Sequence, residues 1–158
     1  MRQGKVRHIG CSNYAAWQLC KALWVSDKLG IERFESVQPA YNFTAREPER
    51  ELFPLCEDQG VSVVPYQVLM GGVITGGYEP ANAPPPDSHM SAAHANTARQ
   101  RYWNQAHFDM AGRVREIAGE VGHAPTTVVL AWALSRPAVA SVIAGSSRPE
   151  QVTANAAA

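Results

Sequence analysis

Short apolar segments alternate along the chain with longer stretches in which apolar residues recur at helical spacing, the order expected of β-α-β units feeding a parallel sheet. Four such units can be counted. The first strand is expected at Val6 to Cys11. Ser12-Asn13 then opens a helix whose Trp17, Cys20, Leu23 and Trp24 share one face, expected to be core, and Gly30 stops it. A second strand is predicted at Ser36 to Tyr41, followed by a helix from near Glu47 to Gln59 with Pro48 in its first turn and Gly60 just past its end. Pro54 predicts a kink in it. The third strand, Val61 to Tyr66, is a nearly continuous apolar run, as expected of a central strand covered on both faces.

Leu69-Met70-Gly71-Gly72 follows, and then a loop from Gly76 to about Tyr102 containing Pro84-Pro85-Pro86, too rich in breakers for regular structure. Loops of that length are usually functional or disordered. Helical periodicity resumes with Val114, Ile117, Ala118 and Val121, halts at Gly122, and restarts behind Pro125 with Val128, Leu130, Ala131 and Leu134. The last strand is expected at Ala140 to Ile143. Gly145 comes next, and a helix start at which Ser147 and Glu150 have capping-box spacing, with Asn155 on that helix. The fold class is therefore α/β: four β/α units in one domain over residues 1–158, with an extra helix before the last strand.

Composition narrows the function. The 158 residues are 46% hydrophobic and 18% charged, enough apolar material for a core. Fourteen basic residues balance fourteen acidic ones, so no net field draws the chain to nucleic acid or an anionic membrane, and small-molecule chemistry is favoured. Cys11, Cys20 and Cys56 form no C-x-x-C pair and read as reduced core thiols. No apolar run approaches the ~20 residues that span a bilayer, and Met1-Arg2-Gln3-Gly4-Lys5 leads into no signal-peptide core, so the cytoplasm is expected.

In barrels and open parallel sheets function collects at the carboxyl ends of strands. There this chain places Ser12-Asn13, Gln38, Tyr66-Gln67 and Gly145-Ser146-Ser147-Arg148. Amides and hydroxyls both donate and accept, which suits a neutral carboxamide or a sugar better than a metal ion. Tyr66 offers a flat face for a ring, Gly71 and Gly72 let backbone approach a ligand, and a helix opening at Ser147 presents N–H groups to phosphate. Structural uses stand beside these: Ser12 or Asn13 as a helix cap, Gln38 bonded to buried backbone, Tyr66 as core with a satisfied hydroxyl, Gly71-Gly72 as a turn. None of the five histidines reads as a ligand or base; His94 and His107 flank Arg99 and Arg101, either solvated loop residues or a cover for phosphate.

The run Gly4-Lys5-Val6-Arg7-His8-Ile9-Gly10-Cys11-Ser12-Asn13-Tyr14 resembles the fifth-strand motif of the aldo-keto reductases, G-K-V-R-x-I-G-x-S-N-[FY]. The resemblance continues through Ser36-Val37-Gln38-Pro39-Ala40-Tyr41-Asn42, Val64-Pro65-Tyr66 and Leu69-Met70-Gly71-Gly72-Val73-Ile74-Thr75-Gly76. It reaches Ile143-Ala144-Gly145-Ser146-Ser147-Arg148-Pro149-Glu150-Gln151, so it covers essentially the whole chain. It implies strands five to eight of a (β/α)8 TIM barrel, half of a parallel barrel, in a family that reduces aldehydes and ketones with NADPH, less often NADH. Carried over by motif, Ser12, Asn13 and Gln38 would hold the nicotinamide carboxamide and Tyr66 would stack on its ring. Leu69 and Gly71 would lie in the Gly-rich segment beside the pyrophosphate. Gly145, Ser147, Arg148, Gln151 and Asn155 would gather around the adenosine and its 2′-phosphate, with Arg148 as charge partner.

The chain departs from the family pattern in places. Gln67-Val68 stands where the family has Ser-Pro, Gly77 where it has Lys, and Ala124 where a Ser caps the next helix, which should cost that helix ~1 kcal/mol. Some branches carry Lys and Arg where this chain has Gly145 and Gln151, so preference for NADP over NAD rests on Arg148. The family's catalytic Asp, Tyr, Lys and His belong to its first four strands, and no catalytic residue is assigned within this chain. The resemblance therefore implies a cofactor-binding half that reduces carbonyls only beside an amino-terminal half supplying the tetrad. The alternatives are a non-catalytic NADP-binding or regulatory protein of the same fold, or an inert truncated product. Two unpaired strand edges, at Val6 to Cys11 and Ala140 to Ile143, are expected to recruit that missing half or a second copy of the chain.

Overall fold

The computed structural model describes residues 1, 3–80, 82–91 and 96–158. The chain divides into two units, one made of residues 1–68 and 133–143, the other of residues 69–132 and 144–158.

The first unit is built on a parallel sheet in the order β1 (Gly10–Ser12), β2 (Ser36–Gln38), β3 (Ser62–Val63). Gly10, Cys11 and Ser12 pair with Ser36, Val37 and Gln38, and Ser36 and Val37 pair onward with Ser62 and Val63. The strands are shorter than the apolar runs predict. Before Gly10 the main contact is the Ile9 carbonyl accepting from Glu35 N, while Val6 stays about half exposed and His8 pairs with Glu35 at the surface. An apolar run becomes strand only where a neighbour supplies ladder partners. The fourth expected strand is likewise reduced to a bridge, one residue early, between Val139 and Val63, extended by Ala140 N donating to Val63 O and Ile143 N to Pro65 O. β3 thus has neighbours on both sides, and Val63 is fully buried as a central position should be.

Helix α1 (Ala16–Leu29) follows β1 and ends at Gly30, whose positive φ of 62° is the left-handed stop expected of glycine. Its core face differs from the expected one. Leu19 and Leu23, one turn apart, are buried, whereas Trp17 and Trp24 are 66% and 59% exposed and Cys20 faces solvent. The helix carries more apolar residues than one stripe can hold, and the i, i+4 leucine pair takes the core. Residues Glu47–Glu49 form a single 3₁₀ turn, and α2 (Leu52–Gln59) starts only afterwards. The break falls before Pro54, not at it. A proline ring excludes the carbonyl four residues back from a helix, and that residue, Arg50, lies just outside α2.

In the second unit a 3₁₀ turn at Met70–Gly72 and another at His89–Ser91 precede α3 (Asn96–Tyr102). The breaker-rich loop is therefore not wholly irregular: its last seven residues are helix, anchored by buried Tyr102 and by Arg99, which donates to the Met90 carbonyl. His94 lies outside the described residues. Arg101 sits over the Tyr102 ring. Helix α4 (Gln105–Val121) is capped by Asn104, whose side chain accepts from His107 N, and it buries Phe108, Ala111, Val114 and Ala118, while Ile117 and Val121 face solvent. α5 (Pro125–Leu134) and α6 (Pro149–Asn155) complete the helices. No helix of the described residues is long and apolar enough to cross a membrane.

Candidate functional site

At the carboxyl ends of β1, β2 and the β3 segment, four of the expected residues meet. Asn13 takes a positive φ of 57°, a conformation asparagine tolerates better than most residues with a Cβ. That turn brings Asn13 N to the Gln38 carbonyl at 3.1 Å, and the Ser12 hydroxyl donates to the same carbonyl at 2.9 Å. The Tyr66 hydroxyl donates to Asn13 Oδ1 at 3.0 Å. One connected network therefore joins Ser12, Asn13, Gln38 and Tyr66 across three neighbouring strand ends.

This geometry bears on the structural uses of these residues. Helix α1 is not capped by Ser12 or Asn13: its first free N–H, that of Ala15, is taken by the Gln18 side chain at 2.9 Å. Ser12 and Asn13 are exposed, and Gln38 and Tyr66 are half-buried, so none of the four is core. The Gln38 side-chain amide makes no hydrogen bond among the described residues, and the Asn13 amide N–H₂ is likewise unengaged there. Two amide groups, a hydroxyl and a phenol ring at one rim are thus open to a polar planar ligand.

Beneath this rim, burial pushes the Cys11 thiol above its usual range, so it stays protonated and is a poor nucleophile. Cys56, fully inside, is pushed up to about 11 by the same cause.

The remaining expected residues belong to the second unit. Leu69 opens the turn at Met70–Gly72, its carbonyl accepting from Gly72 N at 2.8 Å. Gly71 is left-handed at φ 64°, and the space a Cβ would take is filled by Met90, whose Cε lies 2.9 Å from it. The face opened by the missing side chain is thus used inside the unit. Gly145 is exposed, with nothing within 4 Å of where its side chain would be.

The last helix is capped differently from the expected Ser147/Glu150 box. Arg148 is its flanking residue, and Gln151 Oε1 accepts from Ser147 N at 2.8 Å and Arg148 N at 3.2 Å. Two of the N–H groups expected to be free for phosphate, those of Ser147 and Arg148, are engaged by Gln151. Asn155 donates to the Ser146 hydroxyl at 3.1 Å, a second local pair beside Ser147 and Gln151.

Sequence reasoning gave no role to Asn42, and placed Gln67 at a strand end without its turn. Asn42 is a fully buried polar residue, and Gln67, directly after Tyr66, has a positive φ of 59°. A signal existed: asparagine just past a strand with threonine two residues on is an Asx-turn pattern, and Asn42 Oδ1 does accept from Thr44 N at 3.0 Å.

Comparison with known proteins agrees with the motif reading. The model of the Aldo/keto reductase family matches residues 1–158. Versiconal hemiacetal acetate reductase of Aspergillus parasiticus is 31% identical over 87% of this chain and 39% of its own length. Aflatoxin B1 aldehyde reductase member 2 of Homo sapiens is 29% identical over 99% of this chain and 47% of its own length. An Arabidopsis thaliana protein named as a probable voltage-gated potassium channel subunit beta is 30% identical over 92% of this chain and 44% of its own length. The chain spans less than half the length of each of these relatives. On the strength of a match from its first residue to its last, the chain belongs to the aldo/keto reductase family.

Proposed function

We propose that this chain is the cofactor-binding half of an NADP-dependent aldo-keto reductase, its three strands and the 138–143 segment standing for strands five to eight of the family's barrel. One observation carries the reading: Ser12-Asn13, the Gln38 backbone carbonyl and Tyr66, from three segments far apart in sequence, converge in one hydrogen-bonded network at adjacent strand ends. The chemistry of that donor set fits a nicotinamide. A carboxamide presents one acceptor and two donors, and the Gln38 and Asn13 amides together offer both kinds of partner. The Tyr66 ring provides an apolar plane of the right kind for an aromatic face.

Within the family the bound nicotinamide supplies hydride to a carbonyl carbon. This chain's own part is binding and orientation: Asn13 and Gln38 hold the carboxamide, which fixes the face the ring presents, and Tyr66 keeps water off the other face. The serine and amide cluster around Ser147, Gln151 and Asn155, with Arg148 beside it, serves the adenosine end, Arg148 favouring a 2′-phosphate. The proton donor for the developing alkoxide belongs to the family's first four strands. Carbonyl reduction by the 158-residue chain alone is accordingly not expected.

Titrating the chain with NADPH and NADH, followed by tryptophan fluorescence and melting temperature, tests this. NADPH should bind more tightly, and Gln38→Ala and Tyr66→Ala should each weaken it by about five- to tenfold, the worth of one good contact. Absence of binding, or unchanged affinity in both variants, overturns the reading. A second reading has the potassium-channel name of the Arabidopsis relative in its favour: the same cofactor site used to regulate a partner instead of to reduce a carbonyl. Supplying an amino-terminal half from a relative distinguishes them, since aldehyde-dependent NADPH consumption appears only in the first.

A further inference from the structure

We infer that Asn42 is a positioning residue for the nicotinamide end of the site, acting through the backbone that carries Tyr66. This rests on the cofactor reading given above.

Tyr66 is held from both sides by the segment after β2. Its N–H donates to the Pro39 carbonyl at 3.0 Å, and its carbonyl accepts from Tyr41 N at 3.2 Å. Directly after it the chain must leave the sheet, and it does so through Gln67 at φ 59°, a conformation disfavoured for any residue with a Cβ. The Gln67 carbonyl accepts from Asn42 Nδ2 at 3.2 Å. Asn42 is itself wholly buried, and its other end is fixed by three donors on Oδ1: Thr44 N and Thr44 Oγ1 at 3.0 Å and Ala45 N at 2.9 Å.

Burying an amide is costly unless its polar atoms are paired, and here the pairing is complete enough to make the side chain a rigid strut. One end is anchored in an Asx turn. The other holds the one peptide whose strained turn sets the direction in which Tyr66 leaves the strand. Since the Tyr66 hydroxyl in turn bonds Asn13, a slack Gln67 turn would loosen the rim at two of its four members.

The test compares NADPH with 2′-phospho-ADP-ribose, which lacks the nicotinamide. Asn42→Asp keeps the acceptor for Thr44 and Ala45 but turns the donor toward Gln67 into an oxygen. It should weaken NADPH about tenfold while leaving 2′-phospho-ADP-ribose unchanged. Thr44→Val, which removes one of the three donors on Asn42 Oδ1 but leaves the Gln67 bond, should weaken NADPH less than Asn42→Asp does and spare 2′-phospho-ADP-ribose. Equal losses for both ligands, or an Asn42→Asp chain that retains the nicotinamide increment, overturns the inference alone. So does failure of both Asn42→Asp and Asn42→Ala to fold, since Asn42 is then a structural residue. A wild-type chain that binds the two ligands equally overturns the cofactor reading, and this inference with it.

Discussion

Replacing Gly10 by alanine should damage the sheet and the candidate site together, through a contact that can be measured in advance. A Cβ at Gly10 would overlap Ser36 Oγ and lie 2.9 Å from the Ser36 carbonyl oxygen, on the strand paired with it. The hydroxyl can rotate away; the carbonyl is backbone and cannot. Restoring ordinary contact with that oxygen opens the β1–β2 gap by about 0.5 Å, which stretches the 3.1 Å bond from Asn13 N to Gln38 O to roughly 3.6 Å, outside hydrogen-bond range. Overpacking costs about 1–3 kcal/mol and the lost bond about 1 kcal/mol, so a destabilisation of about 2 kcal/mol or more is expected. For a chain of this size that lowers the melting temperature by roughly 4–8 °C. Adding Ser36→Ala removes the hydroxyl contact but not the carbonyl one, so the double variant should recover only part of the loss. Thermal unfolding, with amide exchange at Asn13 as the local probe, makes the measurement. If Gly10→Ala melts with the wild type and Asn13 stays equally protected, the close approach of β1 to β2 has been misjudged.

Gly119→Ala should act in the opposite direction: it lies within α4 with nothing within 4 Å of a new Cβ, so the more restricted unfolded chain should stabilise the fold by about 0.5–1 kcal/mol, read as a rise in the denaturant midpoint. Acid should expose the role of Glu49. Its carboxyl is held below the usual 4.5 by the Arg46 guanidinium first and also by the hydroxyl of buried Tyr41. A depressed carboxyl contributes stability that is complete above its unfolded value and lost as pH falls through its folded one. Urea unfolding from about pH 5 downward should therefore show a shallower loss in Glu49→Gln than in the wild type, and parallel curves would refute the linkage.

Part of the candidate site was legible from where its polar residues stand along the chain. Polar groups directly after apolar runs mark strand ends, and Ser12, Asn13, Gln38 and Tyr66 do meet there. The glycines after α1, α2 and α4 stop their helices in the left-handed region, as a residue without a Cβ does at low cost. Less legible was everything that depends on which of several equivalent choices the packing selects. Trp17 and Trp24 have the same helical spacing as a core pair, but Leu19 and Leu23 won the interior. Gln151 displaced the expected capping arrangement at Ser147, since a flexible amide two residues inside a helix reaches back as well as a glutamate does. The helix Asn96–Tyr102 was hidden behind prolines that precede it and do not enter it.

By itself the sequence determined the family, the alternation of strands and helices, and the polar residues gathered past the strands, because these follow from local chemistry: apolar period, turn-forming residues and a motif of fixed spacing. Only the tertiary structure decided how long each strand is, since a ladder extends only as far as a neighbour pairs with it, and β1 and β2 share three residues. It also decided that Ser12 and Asn13 belong to the rim and not to a helix cap, because that choice is made by where the Gln38 carbonyl and the Gln18 side chain lie. The strut from Asn42 to Gln67 joins positions 25 residues apart. No local pattern specifies such a bond; it exists only once parallel strands have brought both segments to the same edge.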